Sequence, residues 1–242
     1  VVRFSNDGSK SMAAGPGAVR VRRRADARRV EILRAAARVF RARGFAAAGM
    51  RDIALAADLS PANLYHYFRG KDEILYFCQD RALDRLLDAL DEARRGRGPL
   101  TDRLRALAAA HVRCLLDDVE GSAAHIEVDA LPPALRRPIV AKRDRYERGV
   151  RALVASGMKR GDLRRGDATI ATRAFLGALN WTAHWFRPEG PQPADRVALL
   201  VADYAIGGLT DARSARPHPA PHQRRAGGSR LRALQDAARG PA

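Results

Sequence analysis

Two short helical runs separated by three residues constrain this chain more than any other feature. Arg51–Ala57 places Ile53 and Ala54 on one side. Asp58, Leu59 and Ser60 then interrupt the pattern, and Pro61 opens the next run. Proline at a first helical position forfeits no needed N–H, and a serine just ahead of it is a favoured N-cap. The second run carries Leu64 and Phe68 four residues apart, hence on one face, and Gly70 ends it. Ahead of both, Val30, Leu33, Ala37 and Phe40 recur at helical spacing up to Gly44, a C-terminal stop. The spacing therefore predicts three helices in residues 26–72, the last two joined by a tight turn.

Downstream the pattern stays helical. Lys71-Asp72-Glu73 opens a long helix with Ile74, Leu75, Cys78, Ala82, Leu86 and Leu90 inward, broken by Gly96, Gly98 and Pro99. Further helices are expected over about 101–118, 123–130, 134–160, 167–186 and 193–209. No run alternates in the manner of a strand, so the fold class is all-α. The expected organisation is a disordered basic arm over 1–25 and a three-helix head over 26–72. A helical bundle follows over 73–210, then a disordered basic tail over 211–242.

The formal charge of +17 in 242 residues is unevenly spread. Residues 1–29 carry eight basic and two acidic side chains, and residues 211–242 carry seven arginines against two aspartates. Such arms either solubilise or attract nucleic-acid phosphates. Two cysteines, Cys78 and Cys114, exclude a disulfide scaffold and a cysteine-rich zinc site. Neither a bilayer-length apolar run nor a secretory leader is visible, so a cytoplasmic protein without membrane contact is expected. The sequence has no glycine-rich phosphate loop, no Gly-x-Ser-x-Gly elbow and no His-Glu-x-x-His; no metal, catalytic cofactor or enzymatic activity is expected.

A short helix after a tight turn is helix-turn-helix geometry, in which the second helix enters the major groove of DNA. The expected reading face comprises Pro61, Ala62, Asn63, Tyr65 and His66. Asn63 matches a bidentate partner for adenine, and Ala62 is small enough for a thymine methyl. Tyr65, His66 and Lys71 are candidate phosphate donors that would fix register. By itself, the Tyr-His-Tyr cluster also fits an ordinary amphipathic surface.

The segment Arg51-Asp-Ile-Ala-(x)5-Ser-Pro-x-x-Leu-Tyr-His-Tyr-Phe-x-x-Lys-(x)2-Ile-Leu75 resembles the DNA-binding signature of the tetracycline-repressor (TetR) family. Helix count and spacing extend the resemblance to about Leu209. It implies an N-terminal head that binds operator DNA and a remainder that binds a small effector. By position, Ser60, Asn63, Tyr65, His66 and Lys71 match operator-contacting residues, and Arg51 a backbone-facing one. Two departures stand out. Ala48 and Gly49 replace the usual Thr or Ser cap, at a cost of about 0.5–2 kcal/mol. Asp58 occupies a turn position where glycine is common, although aspartate tolerates the left-handed conformation.

In the bundle, Leu104, Leu107, His111 and Leu115 share a face; His111 is either a hydrogen-bonded core histidine or a ligand contact. Lys142, Arg143, Arg145, Arg148 and Arg151 form a basic face from which one or two side chains can line an anion pocket. Trp181 and Trp185, at i and i+4, are either interface core or ligand contacts. The segment Asn180-Trp181 to Trp185-Phe186-Arg187-Pro188-Glu189-Gly190 resembles a subgroup of the family that represses lipid and steroid-ring degradation and responds to acyl-CoA thioesters. A CoA thioester needs an apolar tunnel with arginine or lysine at its mouth, and the ligand-binding candidates are His111, Arg145, Arg148, Trp181 and Trp185. The TetR family resemblance also implies a homodimer joined by the last two helices. Their apolar supply would be Ala174, Leu176, Ala178, Leu199, Leu200, Ala202, Tyr204 and Ile206. The expectation is an effector-released repressor on a palindromic operator. The alternatives are a TetR-type regulator of drug efflux and a nucleoid-type protein that coats DNA without sequence preference.

Overall fold

The computed structural model describes residues 16–117 and 128–210, with side chains from Arg24 onward. Every regular element among them is helical: α1 Pro16–Ala47, α2 Met50–Ala56, α3 Pro61–Tyr67, α4 Lys71–Arg95, α5 Leu100–Leu116, a 3-10 turn Val128–Ala130, α6 Pro133–Arg160, α7 Ala168–Trp185 and α8 Ala194–Gly207.

The boundaries follow local chemistry. α1 begins at Pro16, ten residues ahead of the expected Asp26, so 16–25 are helical rather than part of an unstructured arm. Proline suits a helix start, and the alanine- and arginine-rich stretch behind it favours helix without an apolar face to reveal it. Gly44, at φ 73°, breaks α1 as its residue type predicts. Gly161, at φ 78°, ends α6 in the left-handed conformation, with Asp162 N–H donating to Gly157 O at 2.9 Å. The helix expected at 123–130 lies mostly outside the described residues; only its Val128–Ala130 turn is seen.

One core runs from head to bundle. Ile32, Phe40, Ile53, Leu64 and Phe68 in the head continue into Ile74, Leu75 and Leu86 of α4 and Leu104, Leu107 and Val112 of α5. α4 packs on α1, α5 and α6, so it belongs to both halves. Cys78 and Cys114 are buried thiols, their sulfurs near the carbonyls of Leu33 and Ala82. α5 is clasped by α4, α7 and α8. Ala198, Ala202 and Ile206, spaced by four, supply the buried face of α8, and Leu176 is buried on α7. Leu176, Ala202 and Ile206 therefore belong to the protomer core and not to the expected intersubunit surface. Burying one stripe of each helix against α5 commits those positions.

Candidate nucleic-acid interface and effector-binding bundle

The head is assembled by hydrogen bonds that the backbone would otherwise lack. α2 starts at Gly49, where no hydroxyl is present. Instead the Asp52 carboxylate reaches back to accept from Gly49 N–H at 3.0 Å, and Arg43 holds that carboxylate at 2.7 Å. A first-turn carboxylate suits a helix N-terminus. At the other end of α2, Asp58 adopts φ 52°, as its tolerance for that region allows. Asp58 N–H donates to Leu55 O, and Leu59 N–H donates to Ala54 O at 2.9 Å, closing the turn. Arg28 clamps the same turn from α1, donating to the carbonyls of Ala57 at 3.1 Å and Asp58 at 3.2 Å. That role was not visible in a sequence where Arg28 is one of many surface arginines.

On the far side of the turn, Ser60 Oγ accepts from Asn63 N–H at 3.2 Å, capping α3 as expected. Leu64 and Phe68 are buried and fix the helix to the core. Pro61, Ala62, Asn63, Tyr65 and His66 all face outward, with Tyr65 55% exposed, and Arg51 is exposed on α2. These side chains form one surface on a rigidly held helix.

Lys71 departs from the expectation. Its ammonium turns inward and donates to the carbonyls of Phe45 at 2.9 Å and of Ala46 and Ala48 at 3.1 Å, and it lies 4.7 Å from the Phe45 ring centroid. The break at Gly44 leaves those carbonyls without helical donors, and a cation satisfies them. Lys71→Ala should therefore cost about 1.5–3 kcal/mol of stability, seen as a lower thermal midpoint. The salt slope of DNA binding should stay unchanged, whereas loss of a phosphate contact would flatten it by about one.

In the bundle the candidates separate. His111 is buried between Tyr146, whose hydroxyl lies 3.0 Å from Nδ1, and Asn180, whose Oδ1 lies 3.0 Å from Nε2. Burial pushes the Tyr146 phenol pKa up, so it keeps its proton and donates to Nδ1; Nε2–H then donates to Asn180. Burial lowers the imidazole pKa to about 4, against the Asn180 bond that favours the charged form. His111 is thus a neutral strut linking α5, α6 and α7. An unfolded histidine titrates near 6.5, so the unfolded chain binds more protons between that pH and about 4. Stability should fall as pH drops through this window, by roughly 3 kcal/mol from this group. His111→Gln should remove that part of the pH dependence in denaturant titrations at pH 7, 5.5 and 4. Tyr146 and Asn180 were not singled out as partners in the sequence, because residues 35 and 69 positions from His111 leave no local signature.

Arg145 and Arg148 are exposed on α6, apart from this strut. Trp181 is 63% and Trp185 49% exposed. They continue a stripe of Ile170, Ala174 and Ala178 along α7, beside exposed Leu199, Leu200 and Tyr204 of α8. The structure thus joins the tryptophans to an outward apolar face and does not bring them to His111 or the two arginines. Gln79 on α4 is buried with both amide atoms unpartnered among the described residues, as are the hydroxyls of Thr172 and Thr182 on α7. No residue pattern marked these in the sequence.

A rigid, outward-facing second helix after a tight turn, carried on a helical bundle, defines a helix-turn-helix DNA-binding protein. Residues 32–76 match the bacterial regulatory proteins, tetR family, and residues 97–209 match the tetracyclin repressor-like C-terminal domain. The HTH-type transcriptional repressor KstR2 of Rhodococcus jostii is 31% identical over 193 residues, spanning 75% of this chain and 91% of that protein. The crystal structure of the TetR family regulator PfmR from Thermus thermophilus superposes with TM-score 0.66 at 36% identity, covering 74% of this chain and 99% of that one. AibR, crystallised with isovaleryl coenzyme A and operator DNA, gives TM-score 0.65 at 26% identity, covering 75% and 97%. The chain belongs to the TetR family of bacterial transcriptional regulators. Among the described residues no helix is long and apolar enough to cross a membrane, and no cluster of metal-ligating side chains occurs.

Proposed function

We propose that this chain is an effector-released transcriptional repressor that grips a palindromic operator as a homodimer. The observation that carries the reading is the α3 surface. Asn63, Tyr65 and His66 project from a helix pinned by Leu64, Phe68, the Ser60 cap and the Arg28 clamp. Asn63 and Ala62 are the base readers; Arg51, Ser60, Pro61, Tyr65 and His66 set register on the backbone. The apolar stripe of α7 and α8 pairs two copies, which places two reading heads on one duplex. The protein works by binding alone and needs no cofactor.

The effector class is an acyl-CoA thioester of lipid or steroid catabolism. Support comes from the Asn180–Gly190 segment and from likeness to AibR, which binds isovaleryl coenzyme A. The local design of that segment is specific. Asn180 turns in to His111 while Trp181 turns out, and Gly190 closes a turn where a Cβ would lie 2.9 Å from the Arg187 carbonyl oxygen. Regulation is a population shift: the effector favours a head spacing that does not fit successive major grooves. Titrating isovaleryl- and longer acyl-CoAs into an operator complex followed by fluorescence anisotropy should release the DNA with at least one of them. Retention of operator throughout the series would remove the acyl-CoA effector and leave the DNA-binding reading in place.

A further inference from the structure

α1 starts well before the core of the head needs it. Its backbone is helical from Pro16, whereas its first buried side chain is Ile32. Residues 16–25 carry Arg20, Arg22, Arg23 and Arg24 and no acidic residue. Backbone propensity favours a helix there, but the charges oppose it. Arg23 and Arg24 follow Arg20 at three and four residues, spacings at which like charges repel. Cations near a helix N-terminus also meet the positive end of the macrodipole, and the first turn holds no acid to offset it. A polyanion alongside would reverse the sign of both effects.

Arg28 ties this end of α1 to the reading head. Its guanidinium donates to the carbonyls of Ala57 at 3.1 Å and Asp58 at 3.2 Å, just ahead of the Ser60 cap, and to Glu31 at 2.6 Å. α1 therefore passes beside the N-terminal end of α3, the end that meets base edges in a helix-turn-helix. Arg24 lies four residues earlier, on the same face and about 6 Å further along the axis. Arg28 is committed to the turn and to Glu31. Arg24 is exposed and makes no hydrogen bond or ion pair among the described residues.

We infer that the first turns of α1 are a second DNA contact, in which Arg24 and the arginines at 20, 22 and 23 bind backbone phosphates beside the half-site that α3 reads. This rests on the α3 reading above and extends it. The guanidinium fork pairs with phosphate oxygens, and phosphates line both sides of the groove that α3 enters. Such contacts carry no sequence information. The extension thus adds affinity and salt dependence without changing which operator is preferred. It also assigns the basic charge at this end of the chain to DNA and not to solubility alone.

The test uses the full-length protein and the operator duplex it selects. Arg24→Ala, the triple variant Arg20→Ala/Arg22→Ala/Arg23→Ala and the charge-retaining Arg24→Lys are titrated by anisotropy across a salt series. Alanine keeps the segment helical. Each lost phosphate contact flattens the dependence of log affinity on log salt by about 0.9. Arg24→Ala should flatten it by that amount per protomer and the triple variant by more, while Arg24→Lys holds the wild-type slope. The preferred base at every operator position and the thermal midpoint should stay unchanged. Wild-type slopes in both alanine variants would make the segment a solubilising arm and overturn the assignment, leaving the α3 reading in place. A changed base preference, or a lower thermal midpoint with the slope intact, would show base reading or a structural role and overturn it as well. If wild type selects no operator, the α3 reading falls, and the same slopes measured on a random duplex still decide the extension.

Discussion

Ala178→Arg is expected to convert the protein to a monomer and to lower operator affinity by at least about a hundredfold. Ala178 lies exposed midway along the α7 stripe, between Ala174 and Trp181. In the proposed pairing, small residues at 174 and 178 let a second copy approach closely, and the exposed Ile170, Trp181 and Tyr204 supply the apolar area. An arginine there places a charge where apolar surface must pair. If the symmetry axis passes nearby, it also sets two like charges together. One head reads only a few base pairs, so losing the partner removes half of the contacts. Sedimentation and anisotropy on the same samples check both halves of the expectation. A variant that remains dimeric would move the interface away from α7 and α8.

Asn63→Ala is the second large effect. A bidentate amide–adenine pair carries about 1–3 kcal/mol of discrimination, and a dimer makes it twice. The specific complex should lose about 2–6 kcal/mol, roughly 30-fold to 10⁴-fold in affinity, while non-specific binding is retained. The side chain points away from the core and only its backbone N–H serves the Ser60 cap, so α3 should still fold. Preference should relax at one base pair in each half-site and nowhere else. Uniform weakening across sequences would make Asn63 a backbone contact.

Much of this was legible in the sequence because it rests on local chemistry. The Ser60 cap, Pro61 at a helix start, the left-handed Asp58 and Gly44, and the Leu64–Phe68 anchor pair all depend on neighbours within a few residues. Helix limits at Leu100, Pro133, Ala168 and Ala194 fell within a residue or two of the breaker signals. What was illegible depends on residues brought together from afar. Lys71 reads as a surface cation until the carbonyls at 45, 46 and 48 arrive beside it. Periodicity shows that α8 has an apolar face but not which apolar residues α5 covers. Ala202 and Ile206 thus went inward while Leu199 and Tyr204 stayed out. Arg38 and Arg41 lie about 150 residues from Arg187, and only the fold brings them to one cleft.

The proposed repressor depends on α3 being a sequence reader in a symmetric pair. Selecting bound duplexes from a random pool with the full-length protein tests this directly, at a stated salt concentration. A dimeric repressor should recover one inverted repeat, its half-sites centred about one helical turn or a multiple apart, favoured by roughly 10³-fold or more over unrelated duplex. Recovery of no shared sequence, with affinity tracking salt alone, would contradict it and make the protein a non-specific DNA coat.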